Sequence, residues 1–161
     1  MSAPQDNAPP PPGDLPREAL LELAERSANQ AGVAFTRIRR HVYQVLLDAN
    51  EPLGAYDIVD CLEGIGCAQP ATAYRALNCL ENLGFVRKIR SISKYVALRT
   101  GPSESPLAFV VCRECGTAEQ IALGQDSADI FLRAKARGYQ DLDKTIELTG
   151  CCKDHGDSDA S

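Results

Sequence analysis

The sequence predicts an α+β protein built in two unequal parts, and three observations carry this. Helical segments crowd residues 15–84 and give way to a strand pair over 85–99. A polar Gly/Pro/Ser stretch, "RTGPSESP" at 99–106, then breaks the pattern. Beyond it, short strands flank two cysteine-bearing turns, "CRECG" and "CCKDH".

The first helix is read over 15–32. It opens near Pro16, carries acidic residues early and closes on Gly32, with Leu20, Leu21, Leu23 and Ala24 as its apolar stripe. The second, over 36–50, opens on Thr36 as N-cap, and Ile38, Val42, Val45 and Leu46 recur at helical spacing. A turn at "EPLG" leads to a short helix from about Ala55 to Glu63, ended by Gly64. The next helix, 69–84, has Pro70 in its first turn and Gly84 just past its end; Ala73, Ala76, Leu77 and Leu80 form its inner face. Cys61 and Cys79 fall at apolar helical positions and are expected in the core. "FVRKIRSISKYVALR" reads as two short strands turning near Ser91–Ser93. Three helices followed by a hairpin make a winged helix-turn-helix. That arrangement sets the last helix in a DNA major groove and brings the hairpin wing to the backbone.

After the linker come a strand to Cys112, a tight turn, a second strand, a helix closed by Gly138, and a final alternating strand over 142–150. This small α/β unit is too short to hold a core without a staple or a partner. The cysteines supply a staple. Cys112-x2-Cys115 and Cys152-x2-His155, separated by 36 residues, have the spacing of a tetrahedral zinc site. Four protein ligands leave no open position, so such a zinc is structural. Cys151 stays open as the alternate to Cys152. No glutamate stands as a base beside His155, and the other histidine, His41, lies on an early helix, so no enzyme is expected.

Bulk properties agree. The chain has 161 residues, room for one domain or two small ones, and 44% apolar residues, which excludes a disordered chain. No apolar run reaches the roughly 18 residues of a membrane span. "MSAPQDNAPPPPGD" lacks the basic start and apolar stretch of a secretory signal; residues 1–14 read as a disordered tail, and 157–161 as a second tail. The expected compartment is the cytoplasm, where seven cysteines stay reduced. The net charge is −5, but residues 34–99 hold nine basic and six acidic side chains, a positive middle between acidic flanks.

These residues resemble the ferric uptake regulator family, and within it the zinc uptake regulators, over roughly residues 18–155. "PLGAYDIVDCL", "PATAYRALNCLENLGFVRKI", "FVVCRECGTAEQ" and "IELTGCCKDH" carry the likeness, with His155 standing where the family has a last cysteine. The resemblance implies a homodimeric transcription repressor on a palindromic operator. It divides the chain into a winged-helix DNA-binding domain over 15–99, a hinge linker over 100–106 and a zinc-stapled dimerisation domain over 107–156. It assigns base reading to Tyr56 and Arg75. Thr72 is a further candidate DNA contact, and Arg39, Arg40, Tyr74, Arg87, Lys88 and Lys94 are candidate phosphate contacts. It also exposes a departure. At the hinge, zinc regulators carry a second, sensing metal site of His, Cys and Glu. This chain has Arg87, Ala97 and Leu98, "GPSESP" and Gln120 at the matching places. The implied regulatory site is therefore degraded. The alternatives are a thiol-based regulator using Cys61, Cys67 or Cys79, a metal-independent regulator, or a relative acting as a protein-interaction module.

Overall fold

The computed structural model describes residues 14–65, 69–102, 106–121, 123, 128–142 and 145–156. The proposed tails, apart from Asp14, and Cys67, Glu104 and Ser105 lie outside the described residues. The element order is α1 (Arg17–Gln30), α2 (Arg37–Asp48), α3 (Ala55–Glu63), α4 (Pro70–Asn82), β1 (Val86–Ile89), β2 (Lys94–Ala97), β3 (Leu107–Cys112), β4 (Ala118–Ile121), α5 (Ala128–Ala136) and β5 (Thr145–Gly150). Among the described residues no helix is long and apolar enough to cross a membrane.

Local chemistry sets the helix ends. The Thr36 hydroxyl accepts the Arg39 amide at 3.3 Å and caps α2. The Asp57 carboxylate turns back to accept the Gly54 amide at 2.8 Å and starts α3. Pro70 opens α4, where its missing N–H costs nothing. Gly84 follows α4 at φ +81°, a left-handed conformation that a side chain resists.

Helices α1 to α4 and the inner side of the hairpin share one core, with Tyr43, Phe85, Ile58, Leu62, Leu77 and Leu80 at its centre. The Tyr43 and Phe85 rings meet edge to face at 5.6 Å. On two helices the buried face contains most or half of the expected residues, Leu20, Leu21 and Ala24 on α1 and Val42 and Leu46 on α2, but is centred differently. On α2, Tyr43 and Leu47 are buried while Ile38 and Val45 are half-exposed. On α1, Ala28 is buried and Leu23 sits at the edge. Cys61 is not a core residue: Ala55, Ile58, Val59 and Leu62 turn inward on α3, which rotates Cys61 to the surface. Cys79 is half-buried.

Strands β1 and β2 pair antiparallel around a short 3₁₀ turn, Arg90–Ile92, closed by Ser93 in the left-handed conformation. Beyond the linker the sheet order is β4-β3-β5, with β3 antiparallel to β4 and parallel to β5. A second core joins the two parts. Ile89 and Leu98 from the wing meet Leu107, Phe109 and Val111 of β3, with Ile92 and Val96 against them.

Candidate metal centre and nucleic-acid face

The parallel pairing of β3 with β5 brings both cysteine turns to one end of the sheet. The register ends at Cys112 opposite Gly150, two residues before Cys152. Gly116, at φ +73°, lets the chain reverse after Cys115, and its amide donates to the Cys112 carbonyl at 2.9 Å. A second turn, with the His155 amide donating to the Cys152 carbonyl at 3.0 Å, swings the imidazole back. Cys112, Cys115, Cys152 and His155 thereby place their ligand atoms within 4.8 Å of one another. Cys115 Sγ and Cys152 Sγ are 3.9 Å apart, and Cys152 Sγ lies 3.1 Å from His155 Nδ1. The edge of a tetrahedral zinc–thiolate site is about 3.8 Å. The donor set and its spacing therefore fit zinc. Cys151 is exposed and is not among the clustered residues, whereas Cys152 is.

Electrostatics favour a thiolate here. Backbone hydrogen bonds from Cys115 and Cys152 lower the Cys112 thiol to about 6. Burial, with its thiol neighbours, raises the Cys152 thiol. Among the described residues no other group of three or more His, Cys, Asp or Glu side chains converges in this way.

The second candidate surface lies on α4. Its inner face is Ala73, Ala76, Leu77 and Leu80; its outer stripe is Ala71, Tyr74, Arg75 and Asn78, all exposed. Thr72 is half-buried at the stripe's edge. Tyr56, in the first turn of α3, is 74% exposed, far more than burial against a neighbouring element would leave it. On the wing, Lys88, Lys94 and Arg87 are half-buried. The Lys88 amine sits over the Tyr95 ring at 5.6 Å. Arg39 donates to the Ala34 carbonyl. Arg40 pairs with Glu25 and lies over the Phe35 ring at 5.5 Å, so its charge is already partly spent.

The seam between the two parts is apolar at its centre. Leu98 is buried against Phe109, Gln120 pairs with Phe109 from β4, and Glu147 pairs with it from β5. Paired residues share a face. The row Gln120, Phe109, Glu147 thus runs along the side of the sheet that meets the wing.

A sequence profile of the Ferric uptake regulator family matches residues 30–149. The zinc uptake regulation protein of Escherichia coli (strain K12) is 34% identical over 139 residues, covering 84% of this chain and 80% of the relative. The chain belongs to the ferric uptake regulator family. A solved zinc uptake regulator complexed with zinc and DNA superposes at a TM-score of 0.73, with 29% identity, over 85% of this chain and 93% of that one. The crystal structure of holo XcZur matches at a TM-score of 0.69 and 29% identity, over 84% of this chain and 96% of that one.

For this family member, the four residues singled out by their spacing do converge, while the outward stripe of α4 contains two residues that no signal in the sequence singles out, Ala71 and Asn78. Glu147 was also missed. On the sequence it is one acid in an alternating strand, and nothing there signals that it faces the wing.

Proposed function

We propose that this family member is a homodimeric DNA-binding transcriptional repressor, and not an enzyme, with one structural zinc per subunit held by Cys112, Cys115, Cys152 and His155. The observation that carries the reading is the likeness, over 85% of the chain, to the zinc uptake regulator solved with zinc and DNA. Bound in the cluster, zinc would tie the end of β3 to the segment after β5 and add folding energy to a domain short of core.

The chain's own residues do the rest. The winged-helix domain over 15–99 presents α4 to the major groove. There the Arg75 guanidinium pairs with guanine O6 and N7, Tyr56 packs on a thymine methyl, and Thr72 contacts a neighbouring base. Tyr74, Arg39, Arg87, Lys88 and Lys94 contact phosphates and set the register, with Arg40 the weakest of the set because Glu25 holds it. The domain over 107–156 dimerises. Val110 and Leu148, paired across β3 and β5, are 38% and 50% exposed, with Ile130 and Leu132 of α5 at 59% and 63%. That much exposed apolar surface is what a partner subunit covers. The repressor works in the cytoplasm, where its thiols stay reduced.

The test begins with zinc content and a duplex selected by the purified protein from a randomised pool. One zinc per subunit is expected. Arg75→Ala should then cost about 1–3 kcal/mol and relax base preference, whereas Lys88→Ala should weaken all sequences alike and flatten the salt dependence. Zinc-free protein that folds normally would remove the metal assignment. An unchanged base preference in Arg75→Ala would remove α4 as the reading helix.

A further inference from the structure

Among the described residues a polar contact crosses the seam between the two parts of the chain, and neither the metal cluster nor the α4 face uses it. Glu147 extends from β5, on the sheet face that meets the wing, to the 3₁₀ turn at the wing's tip. One carboxylate oxygen accepts the Arg90 amide at 2.7 Å and the other accepts the Ser91 amide at 2.9 Å. The Ser91 hydroxyl also donates to it. The residue before the turn, Ile89, offers no side-chain cap, so these two amides are satisfied by an acid 57 and 56 positions away. The apolar seam beside it cannot do the same work. Burial of Leu98 against Phe109 holds the parts together but is non-directional, so it resists separation better than rotation. A carboxylate gripping two successive amides fixes an angle.

We infer that Glu147 is a positioning residue for DNA binding: it sets the angle of the wing, and of the DNA-binding domain behind it, on the C-terminal sheet. The inference rests on the DNA-binding reading above. In a dimer joined through the C-terminal domains, that angle decides how far apart the two α4 helices stand. The spacing of half-sites the dimer accepts follows from it.

The experiment uses the full-length protein purified with its metal, as wild type, Glu147→Gln and Glu147→Ala. Gln keeps one acceptor oxygen and the side-chain length; Ala keeps neither. Without DNA, amide hydrogen exchange at Arg90 and Ser91 should quicken about tenfold in the Ala variant and less in Gln, while helices α2 to α4 stay protected. With the duplex selected by the wild type, affinity should fall about tenfold at the preferred half-site spacing and less at neighbouring spacings, with base preference within each half-site unchanged. A loss of stability alone would weaken every spacing by the same factor. Unchanged exchange in Glu147→Ala would show that the contact is not made in solution. Faster exchange with an unchanged spacing profile would make it a structural contact with no bearing on DNA. If the wild type selects no duplex, the DNA-binding reading fails and takes the positioning role with it; the exchange rates still decide whether the contact exists.

Discussion

An acid on a strand is ordinary where it faces water. Glu147 faces a protein turn, and its ionisation is tied to that contact. Partial burial pushes its carboxyl upward, but the hydrogen bonds from Ser91 and Arg90 and the Arg90 charge outweigh burial and leave it below the ordinary value of 4.5. The sign of the pH dependence follows. A carboxyl with a lowered value in the folded state stabilises fully above its unfolded value, and the contribution is lost as pH falls through the folded value. The difference in melting temperature between wild type and Glu147→Gln should therefore hold steady from neutral pH down to near 4.5 and close below it. Loss of metal in acid affects both proteins and drops out of the difference. A gap that widens on acidification would mean that burial, not the wing turn, governs this carboxyl.

At the scale of elements, the junction between α4 and the wing depends on Gly84. A Cβ there would meet Pro102 Cβ at 3.1 Å and Pro102 Cα at 3.4 Å, besides forcing a side chain to φ +81°. Gly32 ends α1 at φ +69° with nothing within 4 Å of the same Cβ. Urea unfolding of the two alanine variants separates the two penalties. Gly32→Ala should lose about 1 kcal/mol to backbone strain alone, and Gly84→Ala clearly more, because relieving its contact with Pro102 means moving ring and backbone atoms rather than the end of a flexible side chain. Equal losses would show that the linker gives way. These glycines also mark what could be read from the chain. Thr36, Pro70 and Gly84 are local punctuation, and the helices they bound lie where the sequence places them. The centre of the α2 face was only half legible: Val42 and Leu46 are buried as expected, Ile38 and Val45 less so. Contacts with α1, α3, α4 and β2 bury a wider face than one stripe, bringing in Tyr43 and Leu47. The Cys and His spacing was legible because metal chemistry restricts it. The grip of Glu147 was not, because its partners are backbone amides, which every non-proline residue has.

At the scale of the whole molecule, the question is what sets the angle between the DNA-binding and dimerisation domains. A metal shifts a conformational equilibrium only as far as it binds one state better than the other. Among the described residues, the positions that the resemblance sets at the hinge include Arg87, Ala97, Leu98 and Gln120. Leu98 is buried among apolar side chains, and Gln120 flanks the same cluster, so neither offers a good zinc ligand. The Cys112 cluster is the one convergent group of metal-ligating side chains among the described residues, and a zinc held by all four of them would keep no open position. Leu98, Phe109 and the Glu147 contact are the described groups that join the two parts here. DNA affinity should then be nearly flat when free zinc is raised from about nanomolar to micromolar with the cluster already filled. Titration of the selected duplex under metal buffering measures this. A gain of about tenfold, roughly 1.4 kcal/mol of coupling, would require a second zinc site that closes the hinge. Glu147→Ala sharpens the comparison: with the angle released, the protein should lose spacing preference at every zinc concentration, because no metal takes over the role of the carboxylate.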